Sequence, residues 1–343
     1  VRSPGQITQT ANSRHDTLKK RSLSPSSFKT LLEEKMNYRQ LGHTGLQVSV
    51  LGLGSSPFGN VFGRVSIAQI QGAVDAAIDC GINFFDTSPY YGLTLAEERL
   101  GNALAGRRNQ IILASKCGRY GPEEFDFSRA RIRSSIEDTL RRLRTDRLDL
   151  LQAHDIEFGH KSQIIEETIP ALRELQSEGK TRFIGITGYS LSMLKSVAEA
   201  VPVDTILSYC RFSLLNTDMR RVMAPLEEQV GLINASPLMM GVLTERGAPE
   251  WHTASESLKT AGHRAAAESK KQGLPIETLA LQFAVHQEFA ATTLVGLASA
   301  DEVMRNVEAI ARPLDPSILQ AVLTAVGDEV DSTWPSGLPE NGR

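Results

Sequence analysis

The chain has 343 residues, of which 37 are Lys or Arg, 40 are Asp or Glu and 41% are hydrophobic, an ordinary balance for a soluble globular protein. The charge is uneven: residues 1–35 carry 7 basic and 3 acidic side chains, a balance of +4, which leaves the remainder at −7. A body of that sign has no general attraction for a phosphate backbone, and no apolar run approaches the ~20 residues of a membrane span; both observations argue against nucleic-acid and membrane roles.

Residues 1–35 are rich in Ser, Thr, Lys and Arg and lack hydrophobic periodicity; a regular pattern starts directly after Met36. Two readings fit: an Arg/Ser-rich organelle transit peptide, or leader sequence ahead of a true start at Met36. Glu33, Glu34 and Lys35 make a poor presequence end and favour the second. In either case the segment is expected to be disordered, with 36–343 forming a single domain.

Over 37–50 the spacing predicts a short polar hairpin with Gly42 and Gly45 as turn residues, suited to closing the bottom of a barrel. Residues 48–53 read as the first buried strand, ending in Gly54-Ser55-Ser56-Pro57. Ser66 with Gln69 three residues on is a capping-box signal, and Ile67, Ile70, Val74, Ala77 and Ile78 follow at helical spacing until Gly81. After the strand segment 82–92 the alternation continues with helix 95–104, strand 111–115, helix 129–143 and strand 148–153. Ile132, Ile136, Leu140 and Leu143 share one face of the second of these helices. Next come helix 164–177, strand 182–187, helix 192–199, strand 205–209, helix 221–229 and strand 231–235. Helices within 261–286, strand 292–295 and helix 300–311 complete the pattern, and Pro170 should kink the fourth helix or mark its real start.

Eight strand–helix units predict an α/β fold, a (β/α)8 TIM barrel. An open doubly wound sheet would also alternate, but no strand here is followed by Gly-x-Gly-x-x-Gly at a helix start. Two loops, 120–127 and 239–260, exceed the usual length and lie on the rim where strands end, so both are candidates to cover a substrate.

Three successive strands close in ionisable groups: 82–92 delivers Asp86 and Tyr91, the next ends at Lys116, and the one after at His154. A buried carboxylate needs a cation, and a phenol with an ordinary pKa of about 10 is a poor acid or base near neutrality. Lys116 near the phenol would favour phenolate, with Asp86 holding Lys116 charged. His154 could donate a hydrogen bond to the reacting oxygen. Taken singly, each residue has a plainer structural role, as a buried ion pair or a satisfied rim histidine; the catalytic reading rests on the four together.

In that order at those strand ends, Asp86, Tyr91, Lys116 and His154 resemble the catalytic tetrad of the aldo-keto reductases, and the resemblance covers nearly all of the chain from Met36. The runs Thr-Ser-Pro-Tyr-Tyr-Gly (87–92), His-Asp-Ile-Glu-Phe-Gly (154–159), Phe-Ile-Gly-Ile-Thr-Gly (183–188) and Thr-Trp-Pro-Ser-Gly (333–337) look most like the subgroup that oxidises L-galactose. The resemblance implies an oxidoreductase that converts the C1 hydroxyl of a cyclic L-sugar to a 1,4-lactone with NAD, as in ascorbate biosynthesis. Other aldose 1-dehydrogenases acting on L-fucose-like sugars, pyridoxal-type reductases and a non-catalytic nucleotide-sensing barrel are the alternatives.

The same resemblance implies where the nicotinamide nucleotide lies. Thr187 and Gly188 fall where the family usually has Ser-Asn, Ser208 where it often has Gln, and Ala235 where an aromatic often stacks on the ring; the L-galactose-oxidising subgroup shares this small-residue pattern. Ser236, Pro237, Leu238 and Gly241 match the segment that follows, and Ser55 and Ser56 close the first strand. Gly296 and Ser299 lead into the last helix, where N–H groups and the helix dipole suit phosphates. Asn306 matches an adenine contact, and Glu302, where NADP-preferring members commonly carry arginine, favours NAD over NADP. Ser299 with Glu302 is also an ordinary capping box. Trp251 and Trp334, the two tryptophans of the chain, are candidates to pack on a sugar face or to anchor loops.

Cys80, Cys117 and Cys210 are odd in number and lack metal-ligand spacing, so no metal is expected and a reducing compartment, the cytoplasm, is the simplest location. Import into an organelle through 1–35 is the alternative. Cys117 adjoins Lys116, which would lower its thiol pKa, although an unreactive buried thiol is the simpler reading. The expected partner is a small-molecule sugar, and the chain a monomer or weak dimer.

Overall fold

Two residues further along a strand the side chain returns to the same face, and this periodicity builds both the floor and the rim of the molecule. The computed structural model describes residues 36–341, so the expectation for 1–35 lies outside the described residues. Strands β1 (Tyr38–Gln40) and β2 (Gln47–Ser49) form an antiparallel hairpin. The barrel strands are β3 (Leu51–Gly54), β4 (Phe84–Asp86), β5 (Ile112–Cys117), β6 (Leu148–Ala153), β7 (Thr181–Gly188), β8 (Thr205–Tyr209), β9 (Gly231–Ala235) and β10 (Thr292–Gly296). They close in the order β10-β3-β4-β5-β6-β7-β8-β9, and every neighbouring pair is parallel.

Phe84, Ala114, Leu150, Leu207, Ile233 and Leu294 form one apolar cluster inside the barrel, joined by Leu41, Leu46 and Val48 of the hairpin. Burying each Leu, Ile or Phe contributes roughly 1.5–3 kcal/mol. The hairpin therefore seals the bottom, as its position in the sequence suggested. The fit is close: a Cβ on Gly42, which sits at φ +50°, would lie 2.3 Å from the Gly231 nitrogen at the start of β9. Two residues above the cluster on the same faces stand Asp86, Lys116, Gln152 and Tyr209.

The predicted helices are present with small shifts. Arg129–Leu143 is capped by Ser128 and buries Ile132, Ile136, Leu140 and Leu143, and Ile67–Asp79 opens on the full Ser66/Gln69 capping box. Three expectations need correction. The first barrel strand begins at Leu51, because residues 47–49 belong to the hairpin. Pro170, by contrast, marks the start of an α-helix, one of the two outcomes expected: helical turns from Lys161 pass through a π stretch, Ile164–Thr168, and Pro170 stands in the first turn of Ile169–Ser177, where a missing N–H is tolerated. The helix expected over 221–229 is Asp218–Met223 with a short 3-10 turn after it, since Pro225 interrupts the ladder. The rim loop after β9 ends earlier than expected, at the helix Glu256–Lys271, and Pro316–Val326 is a further helix capped by Asp315.

Candidate active site

The C-terminal ends of β4, β5 and β6 meet at one side of the barrel mouth. Asp86 pairs in register with Ala114, and Lys116 with Gln152, so the carboxylate, the ammonium and the amide share one layer. Lys116 Nζ donates to Asp86 Oδ1, to the Thr87 carbonyl at 2.8 Å and to Tyr91 Oη at 3.3 Å. Gln152 Nε2 donates to the other Asp86 oxygen at 3.3 Å. Burial pushes both members of the Asp86–Lys116 pair towards their neutral forms; Asp86 and Tyr91 offset this at Lys116 and leave its pKa above the ordinary value.

Tyr91 reaches the cluster from a tight turn after β4. The 3-10 turn Ser56–Gly59 packs on its backbone so closely that a Cβ on Gly59 would lie 2.6 Å from the Tyr91 carbonyl. Lys116 by itself would lower the phenol's pKa, as the sequence suggested, but burial outweighs it and Asp86 and Asp155 add to burial, so the phenol is pushed up to about 12. In the free protein Tyr91 therefore keeps its proton at neutral pH.

His154 follows β6, and its ring meets that of Tyr91 edge-on at 5.8 Å. Burial, with Lys116 and Arg119 nearby, holds its pKa well below the usual histidine range, so the imidazole is neutral. Ser88 Oγ lies 3.0 Å from Nδ1 and accepts from the Tyr90 N–H at 3.1 Å, which leaves its own proton for the ring nitrogen. The Asp155 carboxylate lies 3.7 Å from Nε2. Both neighbours favour the tautomer protonated at Nε2.

Beside His154 lies a second charged layer that the sequence reading left without a role. Arg119 donates to Asp155 Oδ2 and stacks over Tyr90 at 3.8 Å, with Phe125 and Phe158 close by. Glu157 is fully buried; burial and Asp155 raise its pKa to about 7. Gln152, Ser88 and Arg119 were missed because one lies inside an apolar run and the others sit in turns. Asp155 and Glu157 lay in a quoted run, and their acidity beside His154 was the available signal.

The expected cofactor residues lie around the other side of the mouth. Ser55 is fully buried at the end of β3 with its Oγ unpartnered, and Ser56 opens the next turn. Thr187 and Gly188 close β7; Thr187 Oγ1 accepts the Asp155 N–H at 3.2 Å, and a Cβ on Gly188 would strike Glu157 Oε2 at 2.3 Å. Ser208 donates to the Gly188 carbonyl at 2.9 Å. After β9, Ser236, Met239 and Met240 all have positive φ, a concentration of strain of the kind found at binding sites, with Pro237 and Leu238 between them and Gly241, which adopts a positive φ freely, directly after. Gly296 is exposed at the end of β10, and Ser299 caps the helix Ala300–Ala311. Glu302 accepts the Ala298 N–H at 2.7 Å, and Asn306 Nδ2 donates to the Glu302 carbonyl at 2.7 Å.

Trp251 is half exposed on the loop after β9, 6.0 Å from the Phe62 ring. Trp334 is buried: it stacks on Tyr189 at 4.6 Å and meets the edge of His252, which accounts for it as an anchor of the C-terminal segment. Cys117 is buried and its thiol is pushed up to about 12, which supports the unreactive reading. Among the described residues, no group of His, Cys, Asp and Glu is placed to hold a metal ion, and no helix is long and apolar enough to cross a membrane.

With a phenol, an ammonium and a neutral imidazole converging on one rim, the molecule has the parts of an alcohol–carbonyl oxidoreductase built on a parallel barrel. Comparison with known proteins names that class: the Aldo/keto reductase family model matches residues 50–324, and the chain belongs to this family. It is 46% identical over 318 residues to an L-galactose dehydrogenase of Arabidopsis thaliana, covering 90% of this chain and 99% of that protein. A D-arabinose 1-dehydrogenase of Saccharomyces cerevisiae is 31% identical, covering 68% of this chain and 74% of that one. Among solved structures, an aldo-keto reductase from Bacillus halodurans in its holo form superposes with a TM-score of 0.72 at 30% identity, covering 90% of this chain and all of that one. The family uses a nicotinamide cofactor, and the chain is an oxidoreductase acting on CH–OH groups.

Proposed function

We propose that the protein oxidises the C1 hydroxyl of cyclic L-galactose to L-galactono-1,4-lactone with NAD. The observation that carries this reading is Tyr91 Oη held 3.3 Å from Lys116 Nζ, with the centres of the Tyr91 and neutral His154 rings 5.8 Å apart, in a chain 46% identical to an L-galactose dehydrogenase along nearly its whole length. A hemiacetal supplies the hydride from C1 and the proton from the hydroxyl on C1, so the product is a lactone and no free aldehyde need bind.

The residues around β3, β7, β9 and β10 fit a nicotinamide nucleotide. Ser55, Ser56, Thr187, Gly188, Ser208, Ser236, Leu238 and Gly241 would hold the ring and its ribose, and Gly296, Ser299, Glu302 and Asn306 the phosphates and adenosine. The unpartnered buried Ser55 Oγ, the exposed Gly296 and the capped helix start support that assignment. Held there in its oxidised form, a nicotinamide would supply the hydride acceptor.

Tyr91 Oη is the group placed to accept the hydroxyl proton. To do so it must first lose its own proton; Lys116 stabilises the phenolate that then takes the substrate proton, and Asp86 with Gln152 keeps Lys116 oriented. His154, neutral with its proton on Nε2, donates to the same substrate oxygen and orients it. Glu302 favours NAD over NADP, because it offers a carboxylate to a ribose hydroxyl and repels a phosphate. The test is a panel of free sugars with NAD and with NADP, followed at the nicotinamide absorbance. L-Galactose with NAD should give the highest kcat/KM; preference for pyridoxal or for a D-aldose would replace this reading by another activity of the same fold.

A further inference from the structure

Ser208 is the residue of β8 that the sequence places at the nicotinamide, yet the strand turns it away from the mouth. Successive side chains of a strand face opposite ways, and Leu207 packs into the apolar cluster inside the barrel. Ser208 therefore faces outward, where it is fully buried and spends its hydroxyl on the Gly188 carbonyl at 2.9 Å. It braces Gly188 from behind, and the side chain that β8 presents to the mouth is Tyr209, two residues above Leu207.

Tyr209 is partly exposed, and among the described residues its hydroxyl makes no hydrogen bond and is not sealed from the surface. The outer end of the ring thus reaches open space rather than a structural network. Burial, with Asp155 and Glu157 nearby, holds its pKa well above the ordinary tyrosine value, so the phenol stays neutral. Tyr189 backs the ring at 5.7 Å and is itself stacked on Trp334 at 4.6 Å, which supports Tyr209 without enclosing it. The strand ends on either side carry short side chains, Thr187 on β7 and Ala235, the register partner of Tyr209, on β9. None of the residues assigned above to the nicotinamide has a ring; Tyr209 brings one into their midst.

An aromatic ring presents an electron-rich face that attracts a cation, and the attraction grows as water is excluded. Oxidised nicotinamide is a cationic ring and reduced nicotinamide a neutral one, while the two have nearly the same size. We propose that Tyr209 lies against the nicotinamide ring and selects its oxidised, cationic form over the reduced form. The site then loads the hydride acceptor in preference to NADH and releases NADH after turnover. This rests on the reading of the β7–β9 side of the mouth as the nicotinamide site.

The experiment measures Kd for NAD and for NADH by calorimetry, without sugar, in the wild type, Tyr209→Phe and Tyr209→Leu. Tyr209→Leu keeps apolar bulk and removes the ring, so Kd for NAD should rise roughly three- to thirtyfold and Kd for NADH by less than about twofold. Tyr209→Phe keeps the ring and should stay within about threefold of the wild type in the ratio of the two constants. A series of constant shape guards against a loosened fold: with phenylalanine and its singly and triply fluorinated analogues introduced at position 209, fluorine withdraws charge from the ring face. Affinity for NAD should then fall stepwise while affinity for NADH holds steady. Equal changes for the two nucleotides, or a fluorine series without trend, would overturn the proposal, because a residue that only shapes the pocket weakens both forms alike. If the wild type bound neither nucleotide, the reading of the cofactor side itself would fall and take this inference with it. That failure shows in the wild type, whereas failure of the inference alone shows in the comparison of the variants.

Discussion

Tyr91 carries the sharpest test of the chemistry. Tyr91→Phe keeps the ring and removes the transferable proton, so turnover should fall by at least ~10²-fold while NAD still binds and raises Tm; near-normal turnover would rule out the assigned role. The pH profile gives a second test. With the phenol pushed up to about 12, the phenolate fraction of the free protein rises about tenfold per pH unit through the alkaline range. A base that must first lose its proton makes kcat/KM for sugar oxidation rise with pH over that range. His154, depressed well below 6.5, stays neutral throughout and contributes no inflection near that value. An acid limb near pH 6.5 that disappears in His154→Asn would show that the ring titrates normally. Asp86, Tyr91, Lys116 and His154 were legible in the sequence because each ends or follows an apolar run where a polar group has no packing reason to stand. Gln152 was not, since it lies within such a run and only its register with Lys116 reveals that it faces Asp86. The direction of the Tyr91 shift was also illegible, because it depends on how deeply the phenol is buried.

Among the elements, the segment after the last helix is tied to the loop that follows β6. Ser336 Oγ donates to Glu157 Oε1 at 3.0 Å, and Leu338 N and Asn341 Nδ2 donate to the Glu157 carbonyl, each at 2.9 Å. Gly337 allows the approach, since a Cβ there would lie 2.5 Å from that carbonyl. The Glu157 carboxyl, raised from 4.5 to about 7, binds a proton in the folded chain that the unfolded chain releases. Stability therefore falls as pH rises from about 4.5 to about 7 and stays lower above that window. Glu157→Gln keeps an oxygen for Ser336 and the Tyr189 N–H and removes the titration. The variant should match wild type in Tm near pH 4.5 and exceed it by about 2–4 °C at pH 8; a difference constant with pH would show that this carboxyl does not titrate in the window. The helix Pro316–Val326 and the segment beyond it were not predicted as elements. Their apolar residues pack on a neighbouring helix and on Tyr189 rather than extending the strand–helix alternation from which the barrel was read.

At the scale of the whole molecule, the closed barrel was legible because eight strand–helix units in a row leave a parallel sheet no exposed edge to favour. Closure also ties the proposed cofactor side of the rim to global unfolding: β10, which ends at Gly296 and leads to the helix bearing Glu302, pairs with both β9 and β3. A nucleotide that binds only the folded chain stabilises it by about 2.7 kcal/mol at a hundredfold excess over Kd, so Tm shifts report cofactor choice without turnover. The Glu302 carboxylate is held by the Ala298 N–H at 2.7 Å, and this fixes its charge at the start of the helix. Against a 2′-phosphate at ~4 Å, a like charge is unfavourable by roughly 4 kcal/mol at an effective dielectric near 20, and by about 1–2 kcal/mol after screening. A tenfold preference needs only ~1.4 kcal/mol. NAD should therefore raise Tm more than NADP at equal concentration, with kcat/KM favouring NAD at least tenfold, and Glu302→Arg should narrow or invert both rankings. If the wild type showed equal shifts with the two nucleotides, or if Glu302→Arg left the ranking unchanged, the carboxylate would be left with the one role its Ala298 contact already gives it, that of holding the start of its helix.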